Sequence, residues 1–293
     1  MIIGGDRLPV IENIKKRASA GEFNEKVELH DPILTPEQAR EITDKYLKKR
    51  HSPVFKFKSF IANTIANVGG NIINKETEYV GSVDPEVLNR GFIVTSNHFS
   101  PLENTVVRTY FRKNGNKRMS VVSQVTNFAM GGIVGFLMNY ARTIPLSMDA
   151  RYMARDLTKI IAEKVEKGEA VLIYPEQEMW FNYRKPRPFR EGAYHFASKL
   201  NCPIVSCFVE MIDENQLENM DFYKVRYRLH ILGVIYPDKN KSIRENCKQM
   251  CKTDYEMKKE AYERIYKKPL SYEFKSSDIA GWIDYSQVFE DER

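Results

Sequence analysis

Residues 91–113 read GFIVTSNHFSPLENTVVRTYFRK. The first six are a short apolar run rich in β-branched residues and predict a buried strand. Residues 103–113 predict a helix. Between them lies a tight turn carrying Asn97, His98, Pro101 and Glu103. A strand running through a short loop into a helix is the repeating unit of α/β domains.

The same alternation continues outward. Strands are expected at 118–123, near 142–146, and at 170–174, 203–209 and 223–236. The last is expected at the sheet edge. Helices are expected at 126–139, at 150–167 with Gly168 as its stop, at 191–200 and at 242–268. Upstream, Thr35 is a good N-cap, so a helix should run from there to the basic end KKR. Residues 54–73 place Val54, Phe57, Ile61, Ile65, Val68 and Ile72 at helical spacing, with Lys56, Lys58, Asn63, Asn67 and Asn71 opposite. That face either packs on the domain or rests among lipid headgroups. The fold expected is α/β: a mixed, largely parallel sheet flanked by helices, with an N-terminal helical segment. The divisions are 1–74 (helical, membrane-interfacial if its apolar face meets lipid), 75–240 (the α/β core) and 241–293 (a helix and tail packed on the core).

The chain has 293 residues, 42% hydrophobic and 29% charged, which favours a packed core over disorder. A net charge of +6 suits anionic lipid, nucleotide or phosphate without choosing among them. The glycine pairs Gly69-Gly70 and Gly131-Gly132 lack the nucleotide-loop pattern, so nucleic-acid or nucleotide binding is not expected. The four cysteines, Cys202, Cys207, Cys247 and Cys251, lack paired CxxC spacing, so no metal is expected and reduced thiols are. The first residues turn polar after three apolar ones, so no secretory signal is read, and no apolar run reaches spanning length. The expected location is cytoplasmic, peripheral on a membrane face.

In α/β sheets, sites lie beyond the carboxyl ends of the strands. That position is held by Asn97-His98 after one strand and by Pro175-Glu176-Gln177 after another. A histidine base needs a partner on one ring nitrogen, and Glu103 stands five residues on, at a helix start. Four basic residues, Arg184, Lys185, Arg187 and Arg190, cluster in a loop stiffened by Pro186 and Pro188, and Arg142 enters TIPL; such groups suit a phosphate. Residues 128–138 (FAMGGIVGFLM) form either a core helix or the wall of an acyl-chain groove.

In this order these segments resemble the 1-acyl-glycerol-3-phosphate acyltransferase family over about residues 75–237. NHFSPLEN matches its Asn-His, four residues, Asp block, with Glu103 at the acid position. ARTIPL gives Arg142. YPEQEMW matches Phe-Pro-Glu-Gly-Thr-Arg, followed by FREGA, and CPIVSCFV matches an apolar Pro-Ile-Val strand. Gln177, Glu178 and Met179 stand where the family has Gly, Thr and Arg.

The resemblance implies direct acyl transfer from acyl-CoA or acyl carrier protein to a lysophospholipid hydroxyl, with no cofactor, metal or acyl-enzyme. It implies His98 as base and Glu103 as its partner. Asn97 or a backbone N–H would assist the oxyanion. Arg142, Pro175, Glu176 and Gln177 would hold the acceptor, with Arg184 or Lys185 supplying the missing cation. A different lipid or non-lipid acceptor, or a non-catalytic lipid-binding protein, would fit the same fold. No G-x-S-x-G elbow occurs, which argues against a serine-hydrolase route.

Overall fold

The computed structural model describes residues 7–115 and 117–286. Seven strands form one sheet: β1 (Glu78–Val80), β2 (Phe92–Thr95), β3 (Met119–Gln124), β4 (Thr143–Leu146), β5 (Ala170–Leu172), β6 (Ile204–Leu217) and β7 (Tyr223–Ile235), in the order β1-β7-β6-β2-β5-β3-β4. Every pairing is parallel except the β6–β7 hairpin.

Before β1 come α1 (Arg7–Ser19), α2 (Pro36–Lys49) and α3 (Pro53–Ile73). A short α4 (Pro85–Leu88) precedes β2, and α5 (Asn104–Gly115) follows it. Then come α6 (Gly132–Tyr140), α7 (Thr158–Glu166), α8 (Gly192–Lys199) and α9 (Ile243–Tyr266).

Strand alternation divides the core. Phe92 and Val94 of β2 face one side, where Val106, Val107, Tyr110 and Phe111 of α5 cover them. Ile93 faces the other, where Ile160 and Ile161 of α7, Tyr194 and Ala197 of α8, and Cys247 and Met250 of α9 pack. Each Val, Ile, Phe or Met side chain among them contributes on the order of 1.5–3 kcal/mol by burial. Both faces of β2 are therefore dry, as its unbroken apolar run requires. Gly91 is demanded by packing: a Cβ there would lie 1.9 Å from the Val165 carbonyl oxygen near the end of α7. Gly168 takes φ +70° and donates to that same oxygen at 2.9 Å, closing α7 where the sequence places its stop.

Residues 7–19 are helical, with Pro9 in the first turn, where its missing N–H costs nothing. The structure differs from expectation in three places. The expected edge strand, β7, lies inside the sheet, since three residues of β1 pair along it. The 126–139 helix is broken at Met130-Gly131 into a 3-10 turn (Val125–Ala129) and α6. The expected 150–167 helix begins with a π-helical turn, Tyr152–Leu157, before α7. The tail packs against the rest of the molecule. Ile279 and Ala280 are fully buried, and Ile279 joins Val10, Ile11, Ile14, Trp180, Tyr183 and Phe222 in a cluster beyond the strands' carboxyl ends.

Candidate active site

β2 and β5 are parallel neighbours, so the loops that follow them open on the same end of the sheet. Asn97 is buried at the start of the first loop. Its amide donates to the Val209 carbonyl at 3.0 Å and accepts from the Val209 N–H at 2.8 Å. It thus imitates a backbone pair and splices the loop onto β6. With both amide atoms used this way, Asn97 anchors the loop and its side chain does not face the cleft as an oxyanion donor.

His98 follows. The Glu103 carboxylate accepts from its Nδ1 at 2.6 Å, and the other carboxylate oxygen accepts from the Ser100 N–H at 2.9 Å. Glu103 is almost wholly buried, while the His98 side chain keeps 20% of its surface. A carboxylate that only accepts assigns a proton to Nδ1, so in the neutral ring Nε2 is the nitrogen without one. Among the described residues no group bonds Nε2. Tyr174 lies flat against the imidazole, centroids 4.0 Å apart and planes 7° apart.

The second loop holds the first. Glu176 is buried and accepts from the His98 N–H at 3.2 Å. It also accepts from Arg187, at 3.2 Å from Nε and 2.9 Å from Nη2, and from the Arg187 N–H at 3.2 Å. Arg187 reaches the His98 and Phe23 carbonyls and stacks its guanidinium over Trp180 at 4.8 Å. Burial pushes the Arg187 guanidinium down from its usual range, and Glu176 opposes that shift. Trp180 N–H closes the arrangement on the His98 carbonyl at 3.1 Å. Glu176 therefore acts on the backbone that carries His98. Its oxygens are committed inside the protein, to the His98 and Arg187 main-chain N–H groups and the Arg187 guanidinium.

The remaining candidates are dispersed. Pro175 is buried, and its carbonyl accepts from the Arg190 N–H at 2.8 Å. Gln177 is exposed with φ 66°, a left-handed backbone in the position where the resembled family has glycine. Arg142 pairs with Glu169 at 3.2 Å, at the amino end of β4 and β5, so it lies at the opposite end of the sheet from His98. Arg184 pairs with Asp213 at 2.5 Å and donates to the Ser277 carbonyl. Lys185 pairs with Asp278 at 2.5 Å and donates to the Glu273 carbonyl. The two basic groups expected to replace the missing cation are thus neutralised by other partners, chiefly in the C-terminal segment.

Sequence reading gave no site role to Tyr174, Gln124 or Glu178, and it placed Arg187 only within a basic cluster suited to a phosphate. Gln124, at the end of β3, donates to Glu178 at 2.5 Å. The signal for Tyr174 and Gln124 was available in their strand-end positions. Nothing in the spacing separates Arg187 from its basic neighbours.

Residues 72–210 match the family model described as Acyltransferase. The span runs from the end of α3 into β6 and contains the His98–Glu103 pair, Tyr174, Glu176 and Arg187. Through this segment, a little under half of the chain, the protein is similar to the acyltransferase family, which supports an acyltransferase enzyme. A comparison with curated proteins finds no match. Among solved structures, the chain is similar to the 1-acyl-sn-glycerophosphate (LPA) acyltransferase PlsC from Thermotoga maritima. The identity is 14% and the TM-score 0.48, over 81% of this chain and 100% of that one.

Proposed function

We propose that this protein moves a fatty acyl group from a thioester, acyl-CoA or acyl carrier protein, to a hydroxyl of a lysophospholipid, with 1-acyl-glycerol-3-phosphate as the first acceptor to test. The observation that carries this reading is the His98–Glu103 pair at 2.6 Å with Nε2 left unbonded at the sheet's carboxyl end. His98 Nε2 takes the acceptor's hydroxyl proton. The oxygen attacks the thioester carbon, the C–O bond forms and the C–S bond breaks. The proton then passes from His98 to the departing sulfur. Glu103 orients the ring and offsets the positive charge it carries between the two steps.

On this reading the reaction takes place at a membrane surface. α3 turns its apolar face outward: Phe57 is 65% exposed, and Phe60 and Ile72 are each 71% exposed. Its inward face is small and polar instead. Ala62 and Gly70 are buried, Asn63 meets Arg108, and Asn74 donates to Thr105 at 2.9 Å. Ile133 of α6 is exposed as well. An apolar helix face flanked by Lys56 and Lys58 suits an anionic bilayer surface. No helix among the described residues is long and apolar enough to cross a membrane.

A second reading keeps the chemistry and changes the acceptor. Glu178 and Gln124 pair at the β3 end, Glu178 stands where the resembled family has Thr, and Arg184 and Lys185 are already neutralised. That combination favours a neutral, hydroxyl-rich headgroup. One experiment serves both readings. Purified protein is given an acyl thioester with lysophosphatidate or with uncharged lysolipids, and thioester loss is followed beside a His98→Ala control. Acceptor-dependent loss absent from the control supports the transfer, and the preferred lipid selects the reading. Equal loss with and without His98 would sink both.

A further inference from the structure

Tyr174 has no part in the proton path, yet its ring covers one face of the base. The rings are nearly coplanar at 7° and separated by 4.0 Å. Glu103 holds the imidazole in its own plane through Nδ1, which fixes one direction but leaves the ring free to rock about that bond. A flat aromatic surface removes that freedom. Around His98 stand Glu103 on Nδ1, Glu176 and Arg187 on its main chain and Tyr174 on its face, with Arg108 near Tyr174 and Tyr227 near Glu103 and Ser100.

We propose that Tyr174 is a positioning residue for His98, its ring fixing the imidazole plane and its π-face stabilising the imidazolium formed during transfer. The inference rests on His98 being the base. An aromatic face attracts a cation, and the attraction grows as water is excluded. The effect is therefore larger in the protonated state than in the resting one, which is what a rate effect requires.

The ring is what acts, and the hydroxyl does not. The Tyr174 hydroxyl is buried and makes no well-formed hydrogen bond; its neighbour Glu103 is taken by the His98 ring and the Ser100 N–H. Burial, then the charge and closeness of Glu103, push its ionisation well above the usual range, while Arg108 pulls the other way. It stays neutral at any working pH and cannot serve as an acid–base group.

The test compares wild type with Tyr174→Phe and Tyr174→Leu. Phe should keep kcat within about threefold and Leu should lose roughly tenfold or more, with KM little changed in both. In Leu the acid limb of the pH–rate profile should move down by about half a unit, because the imidazolium loses its π partner. A separate readout needs no substrate. The His98 ring protons should resonate upfield in wild type and Phe, from the ring current of the stacked face, and return downfield in Leu. A Leu variant with wild-type kcat and acid limb overturns the proposal, and so does a Phe variant as impaired as Leu. Should Leu fail to fold, wild type and Phe decide alone: upfield protons and equal rates support the inference, unshifted protons or a slow Phe variant end it. If His98→Ala stays active, the base assignment fails while the resonance still reports the stack.

Discussion

Glu103 divides its carboxylate between the His98 ring and the Ser100 N–H, so one group sets both the base and the turn that presents it. Replacing it by Gln removes the charge that balances the imidazolium. We expect kcat to fall by about 10²-fold or more while substrate binding is kept, measured as steady-state thioester turnover. Glu176 and Arg187 form a buried pair, and removing one charge strands the other. Glu176→Gln should cost about 3–5 kcal/mol in urea unfolding, and Glu176→Gln with Arg187→Met should recover part of the loss. Recovery equal to none would show that the pair's hydrogen bonds to His98, not its charges, dominate.

Glu28 offers a pH test. Burial and the neighbouring Asp31 raise its carboxyl to about 7, and Lys26, which pairs with Asp31, only partly opposes them. A folded-state value above the unfolded one means that the native state binds more protons in between. Stability therefore falls as pH rises from about 4.5 to 7. Glu28→Gln should stabilise the protein at pH 8 by about 2–3 kcal/mol and have little effect near pH 4. Unfolding midpoints at the two pH values check the sign.

At the scale of elements, α2 was legible because its ends are written locally: Thr35 and Gln38 form the reciprocal cap that Thr35 announces. Thr35→Ala should cost about 1 kcal/mol. Gly91 is the contrary case. Its need comes from the Val165 carbonyl, more than seventy positions along the chain, and Gly91→Ala should cost about 1–3 kcal/mol through that clash. α3 shows periodicity without orientation. Its helical spacing is plain in the sequence, but which way the apolar face points is decided by what α5 offers, namely Thr105, Arg108 and Thr109, which suit the small and polar side. Phe57→Asp with Ile61→Asp should leave the fold intact and reduce co-sedimentation with anionic vesicles. Unchanged recovery would remove the membrane proposal.

Across the whole molecule, α9 is bound to the central strand by a buried network. Lys258 reaches Asp254 at 2.5 Å and Thr95 at 2.9 Å, while Asp254 accepts from Thr95 at 2.7 Å and from Tyr194 at 2.6 Å. The family-matched span ends before this helix. The sequence by itself determined the α/β alternation, most helix bounds, the strand-end placement of His98 and the Glu103 partner five residues away. These follow from periodicity, caps and a turn too short to place the acid elsewhere. Only the tertiary structure decided that β7 is an inner strand, that Asn97 and Glu176 are spent on backbone, that Arg142 sits at the far end of the sheet, and that Arg184 and Lys185 are neutralised. The physical reason is range. A cap or a turn is closed by neighbours in sequence, whereas a charge is given its role by whichever partner the fold brings within about 3 Å, and residue spacing carries no record of that partner.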